Sequence, residues 1–364
     1  MGRFLRQNGS GEIPTVHLVA SGGGHLELLR ALRPVLVGYR RVWVVDEVRA
    51  GRLRGEGERV HTLPQYDRNP LRGKHLKNAL LALGYVLRER PKVVISSGAG
   101  GTVPFCLFAR LTGARLIFIE TMARVTSPSS SGRVLSRLAS DALVQWPEEL
   151  AVYPHARLCR PQLLEGVRAG PPPKGWGTFV AVGTHTQPFD RLLKLVDVAV
   201  ARGFLPKPVV AQVGTSEYRP RLAEAHVRMT PRDVERAIDS SQYVVCHAGS
   251  GLMSAALRAG RRPLVLPRLA AHGEHFDDHQ EELASKLASL GVAVRLSDEI
   301  GPAELARART PLPKLEAEDG DSVGEVLRRV LGEPFDGASA RTPGPRAPDR
   351  HAELELTRTG GSDG

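Results

Sequence analysis

A glycine-rich turn near the start of the chain combines backbone freedom with a side chain that can accept a proton. The motif Ser21-Gly-Gly-Gly-His25 lies between an apolar, β-branched run and a helical pattern. Glycine permits a sharp turn there, and an anionic group can then approach the N–H groups at the helix start. A histidine, with an ordinary pKa of about 6.5, suits a general base that removes a proton from a hydroxyl. A plain strand-to-helix turn with a capping histidine explains the motif equally well.

Two more features of the first half lie at the ends of predicted strands. The turn Ser96-Ser-Gly-Ala-Gly-Gly-Thr102 is a second potential anion nest, although loop packing is at least as good an explanation. Glu120 ends the next strand, and with Arg124 it could bind hydroxyls or a phosphate, or form a surface ion pair. The candidate catalytic residues are therefore His25 and Glu120. The candidate contacts to a hydroxyl-bearing acceptor are Ser21, Gly22, Gly23, Gly24, Gly98, Gly100 and Arg124.

The second half carries the stronger signal, the turn His247-Ala-Gly-Ser-Gly251. Two glycines and a serine at a helix N-terminus suit a diphosphate, because backbone N–H groups and the helix dipole both favour negative charge. Downstream, Arg268 can pair with phosphate, and the run 273–280 offers hydrogen bonds to sugar hydroxyls. The candidate contacts to such a nucleotide-sugar donor are Gly183, Thr184, His185, His247, Ala248, Gly249, Ser250, Gly251, Arg268, Glu274, Asp278, His279 and Gln280.

The same acidic run also resembles a metal site, since Glu274, His275, Asp277, Asp278 and His279 lie within six residues. The preceding glycine turn and Arg268 favour instead an anionic ligand that the protein itself neutralises. We therefore expect no metal and no cofactor beyond the sugar nucleotide as substrate. A solvated helix start accounts for Asp277 and Asp278 but not for the whole run.

Alternating β-branched apolar runs and helical patterns predict an α/β fold with parallel sheets buried on both faces. The predicted strands are 15–20, 41–46, 92–96, 115–119 and 142–145 in the first half, and 178–182, 208–213, 243–246, 263–266 and 292–295 in the second. The pattern predicts two doubly wound, Rossmann-like domains, 14–168 and 177–332, that face a cleft across a proline-rich linker, 169–176. The tail 333–364 is predicted to be disordered because it has few large apolar residues.

Composition narrows the class of protein. The 364 residues suit two domains, and 41% hydrophobic with 24% charged residues is typical of a folded globular chain. The net charge of +11 attracts anions in general, but aromatic residues are only 5% of the chain and no nucleic-acid motif is present. Three separated cysteines suggest neither disulfides nor zinc, so we expect a cytoplasmic protein.

No apolar run is long enough to span a bilayer, so any membrane contact is expected to be peripheral. The basic residues Arg68, Arg72, Lys74, His75 and Lys77 precede an apolar helical stretch, 80–90. They could hold the protein on an anionic inner leaflet. A basic loop beside a core helix is a slightly better explanation, and the sequence does not indicate an oligomeric state.

Taken together, these motifs resemble two known proteins joined end to end. Residues 15–150 resemble the acceptor-side, membrane-recruiting subunit of the two-subunit GlcNAc transferase of dolichol-linked oligosaccharide synthesis, and its bacterial exopolysaccharide counterparts. Residues 178–293 resemble the catalytic, donor-side subunit. The likeness is carried by Ser21–His25, Ser97-Gly-Ala-Gly-Gly101, Ile119-Glu-Thr121, Val144-Gln-Trp-Pro-Glu148, Val182-Gly-Thr184, Phe189-Asp-Arg-Leu192, Gln212-Val-Gly214, His247-Ala-Gly249 and the run 274–280.

The resemblance implies a GT-B architecture of glycosyltransferase family 28 type, related to the peptidoglycan enzyme that adds GlcNAc to lipid I. It implies a UDP-sugar donor, a metal-independent inverting reaction and a polyprenyl-diphosphate-linked saccharide as acceptor. His25 then faces the acceptor, Gln212 joins the donor contacts, and the turn at 247–251 binds the donor diphosphate. The peptidoglycan relative has a ribose-binding glutamate where this chain has Ala255, which makes Glu274 the candidate for ribose.

Two other functions remain open at this point. A UDP-sugar 2-epimerase shares the expected architecture, but it would need acidic catalytic groups deep in the cleft. A non-catalytic scaffold for a partner transferase is disfavoured, because the chain supplies its own donor turn.

Overall fold

The computed structural model describes residues 13–64, 74–315 and 320–332. The basic residues Arg68 and Arg72 and the tail 333–364 lie outside the described residues, as does the side chain of Lys74. None of the helices described has the length and apolar content needed to cross a membrane.

The N-terminal half builds a seven-stranded parallel sheet of order β3-β2-β1-β4-β5-β6-β7. Its strands bury both faces, as the fully buried Arg-Leu-Ile-Phe-Ile of β5 illustrates. The strands are β1 Thr15–Val19, β2 Arg40–Asp46, β3 Arg59–Leu63, β4 Val93–Ser96, β5 Arg115–Ile119, β6 Asp141–Val144 and β7 Arg157–Leu158. The helices are α1 Gly24–Ala31, α2 Glu47–Gly55, α3 Lys74–Glu89, α4 Val103–Leu111 and α5 Gly132–Leu138.

The second half builds a six-stranded parallel sheet with the same wiring, β10-β9-β8-β11-β12-β13. The strands are β8 Thr178–Ala181, β9 Val209–Gln212, β10 Glu224–His226, β11 Tyr243–Cys246, β12 Leu264–Val265 and β13 Val294–Arg295. The helices are α6 Asp190–Ala201, α7 Pro231–Ser240, α8 Ser250–Arg258, α9 His279–Ser289, α10 Pro302–Arg309 and α11 Val323–Gly332. The predicted fold of two doubly wound parallel sheets is confirmed.

In each sheet the strand order reverses once, between β1 and β4 and between β8 and β11. Ligands of doubly wound sheets bind at such switch points, outside the carboxyl ends of the strands. The glycine-rich turns after β1, β4 and β11, and the turn at Gly183 after β8, therefore lie at the positions where this fold binds ligands.

The last described helix, α11, leaves the second domain and packs on the first. It contacts the 3₁₀ segment Arg33–Leu36, where a Cβ on Gly324 would lie 2.9 Å from Val35 Cγ2. The Arg160 N–H donates to the Asp321 carbonyl over 2.9 Å. Segment 320–332, which was predicted to be the end of the second domain, thus packs against the N-terminal domain. The two domains share one hydrophobic core cluster, which includes Leu29, Met253 and Leu327.

Shortening a buried side chain of α11 should lower the stability of the whole protein. Leu327→Ala removes a fully buried side chain, and we expect the free energy of unfolding to fall by roughly 3 kcal/mol. Arg328→Ala, on the exposed side of the same helix, is the matched control. Urea unfolding monitored by circular dichroism measures both. A loss no larger for Leu327→Ala than for the control would contradict this packing role.

Candidate active site

The glycine-rich turns of the two domains meet across the cleft. Helix α1 begins at Gly24 and helix α8 begins at Ser250. A Cβ on Gly24 would lie 2.9 Å from the Ser250 hydroxyl oxygen, so only glycine fits without a shift. Gly23, at φ 73°, makes the left-handed turn that starts α1. The amino ends of two helices therefore point into one space between the sheets.

His25 has a fixed ring orientation at this junction. Its Nδ1 lies 2.8 Å from the Ser97 carbonyl oxygen, and the Ser97 hydroxyl donates to the His25 carbonyl over 3.1 Å. A carbonyl accepts only, so Nδ1 carries the proton and Nε2 keeps the lone pair. Burial lowers the pKa of His25 below 6.5, against the opposing effects of the Ser97 carbonyl and Glu120. The ring is therefore neutral at pH 7, with Nε2 able to accept a proton.

The turn after β4 supports His25 and is itself strained. Gly98 and Ala99 both have positive φ, 86° and 84°, and a Cβ on Gly98 would lie 2.6 Å from the Ser131 hydroxyl oxygen. That hydroxyl accepts the Ala99 N–H over 3.0 Å. A non-glycine residue in this region costs free energy and persists only where its surroundings impose it. Gly100 then begins a short 3₁₀ turn that leads into α4.

Asp46 adds a contact to the first turn that the sequence analysis missed. It ends β2, and its carboxylate accepts the Gly22 N–H over 2.7 Å, while the Ser21 hydroxyl donates to the adjacent Gly22 carbonyl. The sequence did contain a signal for Asp46: it is an acidic residue at the end of β2, the next strand after the first glycine-rich turn. Rossmann-type folds use an acidic residue at this position to bind hydroxyl groups.

Glu120 is not placed to act on a substrate, which corrects its assignment as a catalytic residue. Its side chain is fully buried, and it accepts hydrogen bonds from the Thr121 N–H, from both the N–H and hydroxyl of Ser129, and from the Tyr153 hydroxyl at 2.5 Å. A carboxylate with this many donors is a structural anchor. Glu120 fixes the loop that connects β5 to α5.

The ring of His247 shapes the turn 247–251, which was predicted to bind the donor diphosphate. His247 lies between Gly183 and Gly249, and a Cβ on either glycine would overlap the ring. Burial lowers the pKa of His247 to about 3, so the ring is neutral. Ala248 is buried in the shared core, whereas Gly251 is exposed with open space beside it. Gly183 and Gly249 are thus required for packing around the His247 ring, whereas Gly251 is not.

The start of α8 still offers amide donors. The Leu252 and Met253 N–H groups both bond back to the Gly249 carbonyl. The helix itself provides no acceptor for the N–H groups of Ser250 and Gly251, as at any helix amino end. Thr184 is exposed beside this turn, while Gln212 is buried in the sheet, where its carbonyl accepts the Val182 N–H over 3.1 Å.

Three residues predicted to bind the donor are instead buried supports. The Arg268 guanidinium, 1% exposed, donates to the carbonyls of Val182, Gln187, Pro188 and Glu274. The Glu274 carboxylate pairs with Arg191 and accepts the Leu269 N–H. Gln280 accepts the Arg268 N–H over 3.1 Å. Arg268 therefore does not contact a phosphate in this arrangement, and Glu274 is not free for ribose.

The rest of the acidic run forms a polar cluster at the cleft. The Asp277 carboxylate lies 2.5 Å from His279 Nδ1 and 3.3 Å from His275 Nδ1, and these ligand-type atoms lie within 4.8 Å of one another. Arg124 of the first domain pairs with the same carboxylate, which neutralises charge that a cation would need. The His185 ring packs on His275 at 4.7 Å, and Asp278 accepts the Ala270 N–H.

Comparison with known families divides the chain as the motifs do. Residues 73–160 match the family described as "Oligosaccharide biosynthesis protein Alg14 like". Residues 178–309 match the "Glycosyltransferase family 28 C-terminal domain". The chain thus joins an Alg14-like segment to a segment similar to the C-terminal domain of family 28 glycosyltransferases, and the predicted resemblance is confirmed.

Individual relatives agree with this division. The mouse (Mus musculus) "UDP-N-acetylglucosamine transferase subunit ALG14" is 27% identical over 168 residues, 38% of this chain and 77% of the mouse protein. The "UDP-N-acetylglucosamine--N-acetylmuramyl-(pentapeptide) pyrophosphoryl-undecaprenol N-acetylglucosamine transferase" of Burkholderia orbicola (strain MC0-3) is 28% identical over 334 residues, 80% of this chain and 85% of that enzyme.

Solved structures confirm the GT-B fold. MurG of Acinetobacter baumannii superposes with a TM-score of 0.59 at 17% identity, covering 87% of this chain and 99% of that one. The UDP-GlcNAc 2-epimerase of Methanocaldococcus jannaschii superposes with a TM-score of 0.56 at 8% identity and the same coverage. The fold alone therefore does not distinguish a transferase from an epimerase.

The structural role of Glu120 can be measured directly. Glu120→Gln keeps the shape but presents an amide N–H₂ group to the hydrogen-bond donors, so we expect the free energy of unfolding to fall by roughly 2 kcal/mol. Glu235→Gln, on the exposed face of α7, should change it by less than about 0.5 kcal/mol. Denaturant titration measures the free energy of unfolding of both variants. An unchanged unfolding midpoint for Glu120→Gln would overturn the anchor role.

Proposed function

We propose that this chain, which joins an Alg14-like segment to a family 28 donor-side domain, is an inverting glycosyltransferase. It would move a sugar from a UDP-sugar to a hydroxyl of a polyprenyl-diphosphate-linked saccharide. The observation that carries the proposal is the close approach of Gly24 to Ser250, which brings His25 and the donor turn to opposite sides of one cleft. The matched families support it, as does the match of 80% of this chain to an enzyme named as a pyrophosphoryl-undecaprenol N-acetylglucosamine transferase.

The chemistry follows from the two turns. The acceptor hydroxyl oxygen attacks the anomeric carbon from the face opposite UDP, and the bond from that carbon to the diphosphate oxygen breaks. His25 Nε2 takes the hydroxyl proton, because the Ser97 carbonyl holds the other ring proton on Nδ1. The departing diphosphate gains charge, which the amide groups of Ser250 and Gly251 and the α8 dipole stabilise. The proposal requires no metal for this step.

The carboxylates near the cleft favour transfer over epimerisation. An epimerase needs acidic groups free to move protons, but three of the carboxylates near the cleft, Glu120, Glu274 and Asp277, are each bound by donors from their surroundings. Both named relatives use UDP-N-acetylglucosamine by their printed names, so this nucleotide sugar is the first donor to test. A role in exopolysaccharide or other lipid-linked glycan synthesis is part of the same proposal.

We also propose peripheral attachment to the cytoplasmic face of the cell membrane through helix α3. Leu76, Leu80 and Leu87 are about three-fifths exposed or more on one side of this helix, a spacing that makes a continuous apolar stripe. Lys77 and Arg88 are exposed beside them. An apolar stripe flanked by cations fits an anionic membrane interface.

Replacement of His25 tests the assignment of the general base. His25→Ala should cut turnover by ~10² or more, because proton removal typically contributes this much. UDP affinity should stay nearly intact, since the ring lies on the other domain. Acceptor-dependent UDP release measures turnover and calorimetry measures UDP binding. Turnover like that of the wild type would refute the role, and acceptor-independent isomerisation of the sugar would favour the epimerase.

The pH dependence follows from the lowered pKa of the same histidine. A general base must be unprotonated, so kcat/KM should be level around neutral pH and fall as the pH drops through a pKa below 6.5. The acid limb should disappear from the residual rate of His25→Ala. An acid limb centred above 6.5, or one that persists in the variant, would exclude His25 as the titrating group.

Vesicle co-sedimentation tests the α3 surface. The double variant Leu76→Ser, Leu80→Ser should reduce binding to phosphatidylglycerol-rich vesicles by roughly tenfold or more, because it removes apolar area from the interface. Leu111→Ser alters a comparably exposed leucine on α4 and should leave binding unchanged. If the double variant and Leu111→Ser lose vesicle binding equally, or if neither loses it, α3 is not the contact surface.

A further inference from the structure

A carboxylate of the second domain occupies a set of hydrogen-bond donors on the first. Glu282, on α9, accepts the N–H groups of Val125 at 3.2 Å, Thr126 at 3.0 Å and Ser127 at 3.2 Å. The Ser127 hydroxyl donates to its other oxygen. Three successive N–H groups that converge on one point form an anion nest. Burial alone would raise the pKa of Glu282, but the hydroxyl and amide donors lower it.

The donors extend beyond the three amides. Arg124 precedes them in the chain and pairs with Asp277, two residues before α9 begins. We call Arg124, Val125, Thr126 and Ser127 the anion loop. A guanidinium beside three N–H groups is a combination well suited to phosphate oxygens. In this conformation both parts of the loop are filled by carboxylates of the opposite domain.

The anion loop adjoins the proposed acceptor side of the cleft. It follows β5, at the same sheet edge as the turns after β1 and β4. Arg124 is near enough to His25 to lower the pKa of that histidine. Trp146 holds the start of the loop through its indole N–H, which donates to the Met122 carbonyl over 2.9 Å. A phosphate group on this loop would thus be carried by the molecule that presents its hydroxyl to His25.

We propose that the anion loop binds the diphosphate of the lipid-linked acceptor and that Glu282 occupies this position while the domains are closed. The inference rests on the proposed function for the identity of the acceptor, but the anion site itself does not. Helix α9 must then withdraw before the acceptor is seated. A tethered carboxylate competes at an effective concentration of roughly millimolar or above, so its charge should set the affinity for a free anion.

Calorimetric titration with inorganic pyrophosphate, in saturating UDP to fill the donor turn, tests the site without turnover. Glu282→Gln keeps the size of the side chain but presents an amide to the N–H donors, and we expect pyrophosphate to bind at least about tenfold more tightly than in wild type. Glu281→Gln is the matched control, since Glu281 is its neighbour on α9 but pairs with Arg295. Adding Arg124→Gln to Glu282→Gln should abolish the gain.

Equal pyrophosphate affinity in wild type and Glu282→Gln, or a gain that persists without Arg124, would overturn the site. Vesicles then identify the source of the phosphate: Glu282→Gln should bind vesicles that contain undecaprenyl diphosphate more tightly than wild type does. Its binding to phosphatidylglycerol vesicles of equal charge should match that of wild type. A gain on both kinds of vesicle would reject the acceptor diphosphate as the ligand. If transfer activity is absent while pyrophosphate behaves as expected, the proposed function fails and the anion site stands.

Discussion

Two helix amino ends that face each other set the constraint on which the rest of the structure depends. Helices α1 and α8 both direct unsatisfied N–H groups and the positive ends of their dipoles toward the space near Gly24 and Ser250. Like ends repel, so the arrangement gains most when an anion lies near them. Contacts elsewhere must hold the domains together, and α11 and the shared core provide them.

Buried polar side chains hold the loops in place around this space. The side chains of Glu120, Arg268 and Glu274 are almost fully buried. Their hydrogen-bond partners lie mainly in the loops that follow the strands. A buried charge without partners is costly, so each of these groups ties down its neighbours. The side chains that reach the cleft can then be few, because the backbone that presents them is fixed.

The two domains also contact each other through polar side chains at the cleft. Asp277, just before α9, pairs with Arg124, and Glu282, on α9, accepts hydrogen bonds from the anion loop, so the second domain directly contacts the first at the cleft. The mouse relative matches 38% of this chain, and the bacterial relative matches 80% across both halves. In this chain the Alg14-like segment and the family 28 domain form that contact within one polypeptide.

The sequence alone determined the fold class, the glycine-rich turns and the fusion of two recognisable halves. Periodicity and strand-to-helix spacing are local properties, so β1, β4, β8 and β11 could be placed within a residue or two, whereas the short or polar strands β3, β7 and β10 could not. The sequence could not predict that α11 packs on the first domain, or that Glu120, Arg268 and Glu274 are buried among backbone and side-chain partners, for a different reason. A charged residue at a strand end has the same sequence signature whether it faces a ligand or a carbonyl. Only the packing of distant segments decided which carboxylates were already bound, and only it brought Gly24, next to His25, against Ser250.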